Sequence, residues 1–571
     1  MADTYDLVIR GGLVVDGTGA DPFVADVAVN GDTVVAVGPD LGAGNAEIDA
    51  TGLLVTPGWV DIHTHYDGQA TWDPEVSPSG WHGVTTVVMG NCGVGFAPAN
   101  PSQREWLIQL MEGVEDIPGT ALAEGMTWNW ESFPEYLDEL ERLPRVLDVA
   151  AMVPHGAVRA YVLGEGRAND GASDDEIAQM AELVNEAIEA GAVGFSTTRT
   201  ILHRAKDGEL AAGTTAAPKE LQSIANAMGT GVFEMVSDFV DPDTDFAWME
   251  QISVQSGRPV TWANLQDDGR PDGWRTRLEL SRAANSRGAQ LVPQVAGRPA
   301  CLILSWEGTA HPFMYHEAWG ELVPLTPAER WERLSTPEWR TRFLDEDVSN
   351  NGMATFWMNN FAKLYELGDP PDYEPDPADS LLRRSERGHA ATPAELAYDL
   401  MCTNGGKGKL YWPILGYSYG NFDTLEEMLR QPDSVLGLGD GGAHCGVICD
   451  ASLPTYMLTH WHRDRSRGER LSLADVVHHQ TQRTARLFGF EDRGVLASGY
   501  LADINVIDLD ALHIPAPELV YDLPAGGRRL VQRVAGYVAT IKRGEIVRDH
   551  DQPTGVRPGT VLRGAQPAPV G

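Results

Sequence analysis

Eight short apolar runs rich in β-branched residues, spread along residues 53–438 and separated by stretches of helical periodicity, limit most strongly how this chain can fold. They are Leu53–Ile62, Thr85–Met89, Leu147–Val153, Ala192–Ser196, Gly231–Met235, Pro259–Ala263, Gln290–Val295 and Val435–Leu438. A strand that is apolar on both faces must be covered on both, which places such runs in a parallel sheet layered by crossover helices. Asp174–Ala190 is one such helix, with Ile177, Met180, Leu183, Val184 and Ile188 on one face; Phe422–Leu429 is another. Eight runs predict an α/β fold, a closed (β/α)8 TIM-type barrel whose catalytic groups sit just beyond the strand ends. An open, doubly wound sheet is the alternative.

The two ends read differently. Asp6–Arg10, Val24–Val29 and Thr33–Val37 are short strands broken at Gly11-Gly12 and Asn30-Gly31, and Ala502–Asp508 and Ala539–Val547 repeat the style. Both termini are therefore expected to build one small β-sandwich, from 1–56 and 495–571, around a barrel over 57–494. The Pro- and Gly-rich tail beyond residue 550 is expected to be irregular. Segment 299–434, rich in Trp, Pro and charge, is too long for a plain loop. It reads as a mainly helical insertion. It lies either over the barrel mouth, shaping a substrate pocket, or on the solvent side, as decoration or as a contact between copies in a homo-oligomer.

The chain has 43 Lys and Arg against 82 Asp and Glu, a formal net charge of −39. Such a surface repels phosphate backbones and anionic lipid, so nucleic acid and membrane are excluded as partners and a small-molecule substrate is favoured. The start, MADTYDLVIRGG, has no basic segment followed by an apolar one, and no long apolar run follows, which predicts a cytoplasmic protein. Five cysteines, an odd number thinly spread, fit a reducing compartment better than a disulfide framework.

The first run ends in Val60-Asp61-Ile62-His63-Thr64-His65. In extended backbone, residues i and i+2 point the same way, so both imidazoles face one point. Two histidines so placed directly after an apolar strand make a metal site, and Zn²⁺ suits them, as one ion or two.

With these residues in view, Gly52–His65 resembles the first-strand signature of the amidohydrolase superfamily. Gly90-Asn91-Cys92-Gly93 is similar to the second-strand segment of the N-acyl-D-amino-acid deacylases, the D-aminoacylase-like family. Val153–Arg159, Asp440–His444 and the closing Arg493-Gly494-Val495 extend the likeness over nearly the whole chain. Many superfamily members bridge two metals with a carboxylated lysine after strand four, but Gly194–Arg199 holds no lysine. The resemblance implies that Cys92 takes its place as a thiolate ligand and that Asp440 touches the metal and shuttles the proton. It also implies that His155 and His444 meet substrate, although a hydrogen-bonded loop histidine explains His444 as well.

The family pattern further expects histidine ligands after strands five and six, in segments like T-H-M-R and S-H-H-K. Here those stretches read Val232–Val236 and Val260–Gln266. Glu234 is the substitute oxygen donor, Asn264 a weak one, and Gln266 stands where a lysine is expected near the substrate carboxylate. Arg159, Arg199 and Arg298, each after a barrel strand, are the candidates to replace that cation, or are surface and supporting arginines. The long Thr198–Arg204 loop marks a divergent branch.

The activity implied is hydrolysis of an amide C–N bond, releasing a carboxylate and a free amine from an N-acyl amino acid of D configuration. Opening of a cyclic imide, lactam or lactone is the alternative within the superfamily. Gly416-Tyr417-Ser418-Tyr419-Gly420 fits a nucleophile elbow, which makes a serine hydrolase using Ser418 a third reading. The missing histidines motivate a fourth, a barrel that binds without turnover.

Overall fold

In a computed structural model describing residues 4–569, all eight runs supply barrel strands. Trp59–Asp61 pairs with Val84–Met89, which pairs with Asp148–Ala151; the continuation Val153–Pro154 pairs with Gly194–Arg199. Val232–Ser237, Val260–Ala263, Leu291–Val295 and Val435–Leu436 follow in order, every pairing parallel. The ring closes where the Asp440 amide donates to the His63 carbonyl (2.9 Å) and the His65 amide to the Gly441 carbonyl (2.8 Å). That closure excludes the open sheet, and it occurs at the predicted site residues. Val60, Ile62, Val88, Ala150, Met152, Val232 and Val435, from different strands, pack with Phe488, Phe490 and Leu562 in one buried cluster.

The first run divides between two sheets. Leu54–Pro57 runs antiparallel to Ile504–Ile507 in a nine-stranded sheet shared by both ends of the chain, and the barrel begins at Trp59. Gly58 sits at the switch, where a Cβ would come 2.3 Å from the Thr85 side chain, so only glycine lets the chain cross. Leu7, Ile9, Val27, Val29, Val55, Ile504, Val506 and Ile541 fill the core of this sheet. The tail has almost no regular structure but is not loose: the Val149 amide donates to the Thr560 carbonyl (3.0 Å) and the Leu562 amide to the Val149 carbonyl (2.8 Å).

Asp148, fully buried at the start of the third barrel strand, ties these parts together. Its Oδ2 lies 2.6 Å from Arg493 and 2.8 Å from Lys542 Nζ, and Lys542 also reaches Asp503 at 2.7 Å. Burial alone pushes the Asp148 carboxyl up, but Lys542, Arg493 and Arg543 outweigh it and hold the group well below the usual carboxylate range. The stabilisation is therefore present above the unfolded-state pKa and is lost as pH falls towards the folded one. Lys542→Met leaves two buried carboxylates short of a cation, and unfolding in urea should show a loss of about 3–5 kcal/mol. A loss under about 1 kcal/mol would show that the cluster is no brace.

Segment 299–434 carries helices, including Pro327–Leu334, Pro337–Leu344, Gly352–Asn359 and Pro393–Met401. It also forms a three-stranded antiparallel sheet from Ala300–Leu304, Tyr365–Glu366 and Leu410–Leu415, which the helical expectation lacked. Trp306, Phe313, Trp339, Phe343, Trp357, Tyr398 and Trp412 give it a separate aromatic core. It meets the barrel mouth through the Ile303 amide, which donates to the Val447 carbonyl (2.6 Å), and the Gly416 amide, which donates to that of Gln266 (2.8 Å).

Candidate metal centre

His63 and His65 leave the first strand with their rings 5.6 Å apart, while Thr64 between them donates its hydroxyl to the Val88 carbonyl. The His63 amide donates to Asp61 Oδ1 (3.1 Å), and His63 Nδ1 lies 2.9 Å from Gln294 Oε1. An amide oxygen only accepts, so this contact puts the His63 proton on Nδ1 and leaves Nε2 as a lone-pair donor. That Nε2 faces Cys92 Sγ and Asp440 Oδ1, both at 3.4 Å. His65 Nε2 is 3.6 Å from the same Asp440 oxygen, and its Nδ1 is 3.5 Å from Glu115 Oε1. The donor atoms of His63, His65 and Cys92 all lie within 4.8 Å of one another, the arrangement a metal ion requires.

The backbone at this point is forced. Cys92, Leu438, Asp440 and His444 all have left-handed φ, at 56°, 58°, 43° and 52°. Each costs on the order of 1–3 kcal/mol and persists only where the surroundings over-determine it. The glycines of the eighth strand make room: a Cβ on Gly437 would meet Gln294 Oε1 at 2.4 Å, and one on Gly439 would meet Asp61 Oδ2 at 2.7 Å.

Charge supplies a test of whether the residues fit a metal. Buried carboxylates surround the donors, and burial lifts Asp61 and Asp67 to about 7, Glu234 to about 8, and Glu115 above its usual value. Burial, with Glu234 and Glu115 beside it, pushes the Cys92 thiol well up. Burial pushes His65 down, yet Glu115 and Asp440 hold its pKa up at about 9, while burial takes His63 down to about 4. Asp440 would be raised by burial, but His65 and His63 keep it ionised. His65 Nδ1, Glu115 Oε1 and Glu234 Oε1 are buried without a hydrogen-bond partner. A cation among these groups would compensate the carboxylates and hold Cys92 as thiolate, so the donor set and its surroundings fit a metal ion.

Some of the sequence candidates lie elsewhere. His155 does not meet substrate space: it starts the helix His155–Leu163 and is held between Thr197 Oγ1 and Glu220 Oε1, both at 2.8 Å. Arg159 pairs with the same Glu220. Arg199 donates to the Ala216 carbonyl (2.8 Å) and lies over Trp248. Arg298 is buried in an ion pair with Asp450 (2.6 Å) and over the Tyr373 ring. Glu234 lies beside the His63–His65–Cys92 cluster: its Oε2 accepts the Cys92 amide (3.0 Å), and its buried Oε1 has no hydrogen-bond partner among the described residues. Asn264 holds Arg277 (3.0 Å), and Gln266 Oε1 accepts the Ser418 amide (3.1 Å). Ser418 Oγ has no hydrogen-bond partner among the described residues, so no imidazole there activates it.

His444 does line the cavity, with Nε2 3.5 Å from Glu115 Oε2. Glu115 and His203, which also line it, and Gln294 behind it were not found from sequence. Glu115 ends the helix Arg104–Glu115 and His203 comes from the Thr198–Arg204 loop, so no strand spacing points to either.

The comparisons agree with this architecture. An uncharacterised protein of Mycobacterium tuberculosis is 27% identical over 594 residues, spanning 95% of this chain and 92% of that one. The D-aminoacylase of Alcaligenes xylosoxydans xylosoxydans is 38% identical over 198 residues, 34% of this chain and 37% of that protein. A crystal structure of D-aminoacylase superposes with a TM-score of 0.64 at 22% identity, over 98% of this chain and 100% of that one. The zinc complex of the N-acyl-D-glutamate deacylase of Bordetella bronchiseptica gives 0.64 at 21%, again over 98% and 100%. Both structures share the fold. A family profile described as the amidohydrolase family matches residues 46–548, and to that family the chain belongs.

Proposed function

We propose that this protein is a metal-dependent hydrolase that cleaves an amide C–N bond with water, giving a carboxylate and an amine. The observation that carries this is the convergence of His63, His65 and Cys92 within 4.8 Å, inside a ring of buried carboxylates. These three would hold Zn²⁺, with Asp440 beside them. When bound, such an ion polarises a carbonyl and brings the pKa of water towards about 7. Gln294 fixes the His63 ring and Glu115 faces the far nitrogen of His65. Asp440, kept ionised by the imidazoles, takes the proton of the attacking water at its carboxylate and passes it to the leaving nitrogen. The partial identity with D-aminoacylase supports an acylated amine as substrate. The assembled donor set, despite the missing histidines, favours turnover over a barrel that only binds.

Protein purified without chelators should carry about one zinc or more per chain. A chelator should abolish amine release from acyl amines, and Zn²⁺ should restore it. Chain free of metal, or amine release indifferent to chelation, overturns the proposal.

A further inference from the structure

The cavity at the barrel mouth, about 100 Å³, is lined by Glu115, Asp440 and Asp450 beside the donors and by the apolar Val236, Ala263, Leu265, Ala296, Ala300 and Ile448. Among the described residues no arginine or lysine lines it. The cations nearby stand behind the lining: Arg298 pairs with the lining Asp450 (2.6 Å) and offsets its charge, and Arg277 holds Asn264 and the Leu265 carbonyl. His203 is kept neutral by burial and its Nδ1 contacts Thr198 Oγ1 at 2.9 Å, while His444 faces Glu115.

Resting on the hydrolase reading above, we infer that the substrate is a neutral amide, an acylated amine with an apolar or cyclic body and no carboxylate on its amine side. A substrate carboxylate would leave water for a chamber that already shows Glu115 and Asp440, with no guanidinium or ammonium on its lining to receive it. Such unpaired charge is what excludes a ligand. Cavities that accept an anionic group supply a fork of donors for it. An uncharged amide asks only that its carbonyl meet the cluster while its hydrocarbon lies on the aliphatic wall.

The test is a matched pair on the zinc-loaded enzyme: N-acetyl-D-leucine and N-acetyl-L-leucine against N-(3-methylbutyl)acetamide, the same skeleton without the carboxylate. Amine release should favour the carboxylate-free amide by about tenfold or more in kcat/KM. Equal or better turnover of either acetyl-leucine overturns the inference. Calorimetry on zinc-loaded Asp440→Asn separates substrate class from chemistry. The neutral amide should bind about tenfold tighter than either acid, and tighter binding of an acid, or no binding of the amide, overturns the inference. If the amide binds and no compound is cleaved by wild-type enzyme, the hydrolase reading fails while the substrate class stands.

Discussion

Replacing His63 with alanine is expected to strip the metal and lower amide hydrolysis by at least about 10³-fold, with the fold intact. The ring supplies one of the three donors clustered among the described residues, and its loss leaves Gln294 Oε1 without a donor and the Cys92 thiol with no imidazole at 3.4 Å. A thiol pushed up by burial does not ionise without a cation, so the cluster should fail together. Metal analysis beside amine release checks this. Full metal content in His63→Ala would move the site away from this cluster.

Asp440→Asn should separate binding from chemistry. Asparagine tolerates the left-handed φ of 43° that residue 440 adopts, so the strand end should keep its shape and most of its metal. The rate should fall on the order of 10²–10⁴-fold, because asparagine cannot accept a proton. The sign on pH is definite. Wild-type Asp440 acts as carboxylate, so activity falls as acid protonates it. The variant has no such ionisation, and its acidic limb should flatten. Unchanged kcat/KM in this variant would remove Asp440 from the proton path.

The barrel was legible because strands buried on both faces carry a continuous apolar signal, and each of the eight runs became a strand. The histidine pair was legible for a similar reason: the period of two is a local property of extended chain. What failed depends on direction after the strand ends. His155 follows a strand as His63 does, but it opens a helix and turns to Glu220. Arg298 lies two residues beyond the lining Ala296 yet turns to Asp450. Glu115 and His203 arrive by tertiary approach and leave no periodic trace. The sheet of segment 299–434 pairs Leu302 with Trp412, a contact too distant in sequence to read from either strand.

The pinned tail bears on how the protein comes to be folded. Residues 559–562 lie along the third barrel strand, and Ile504–Ile507 is the partner of Leu54–Pro57, so residues near the start of the chain find their neighbours only after hundreds more have been made. Pairings of such separation are slow to form and leave sheet edges open meanwhile. A nascent chain lacking these last segments holds a barrel with an uncovered base and half a terminal sheet. Sealing of the base by residues 559–562 therefore follows the making of every barrel strand, and the third strand keeps an unpartnered stretch until then.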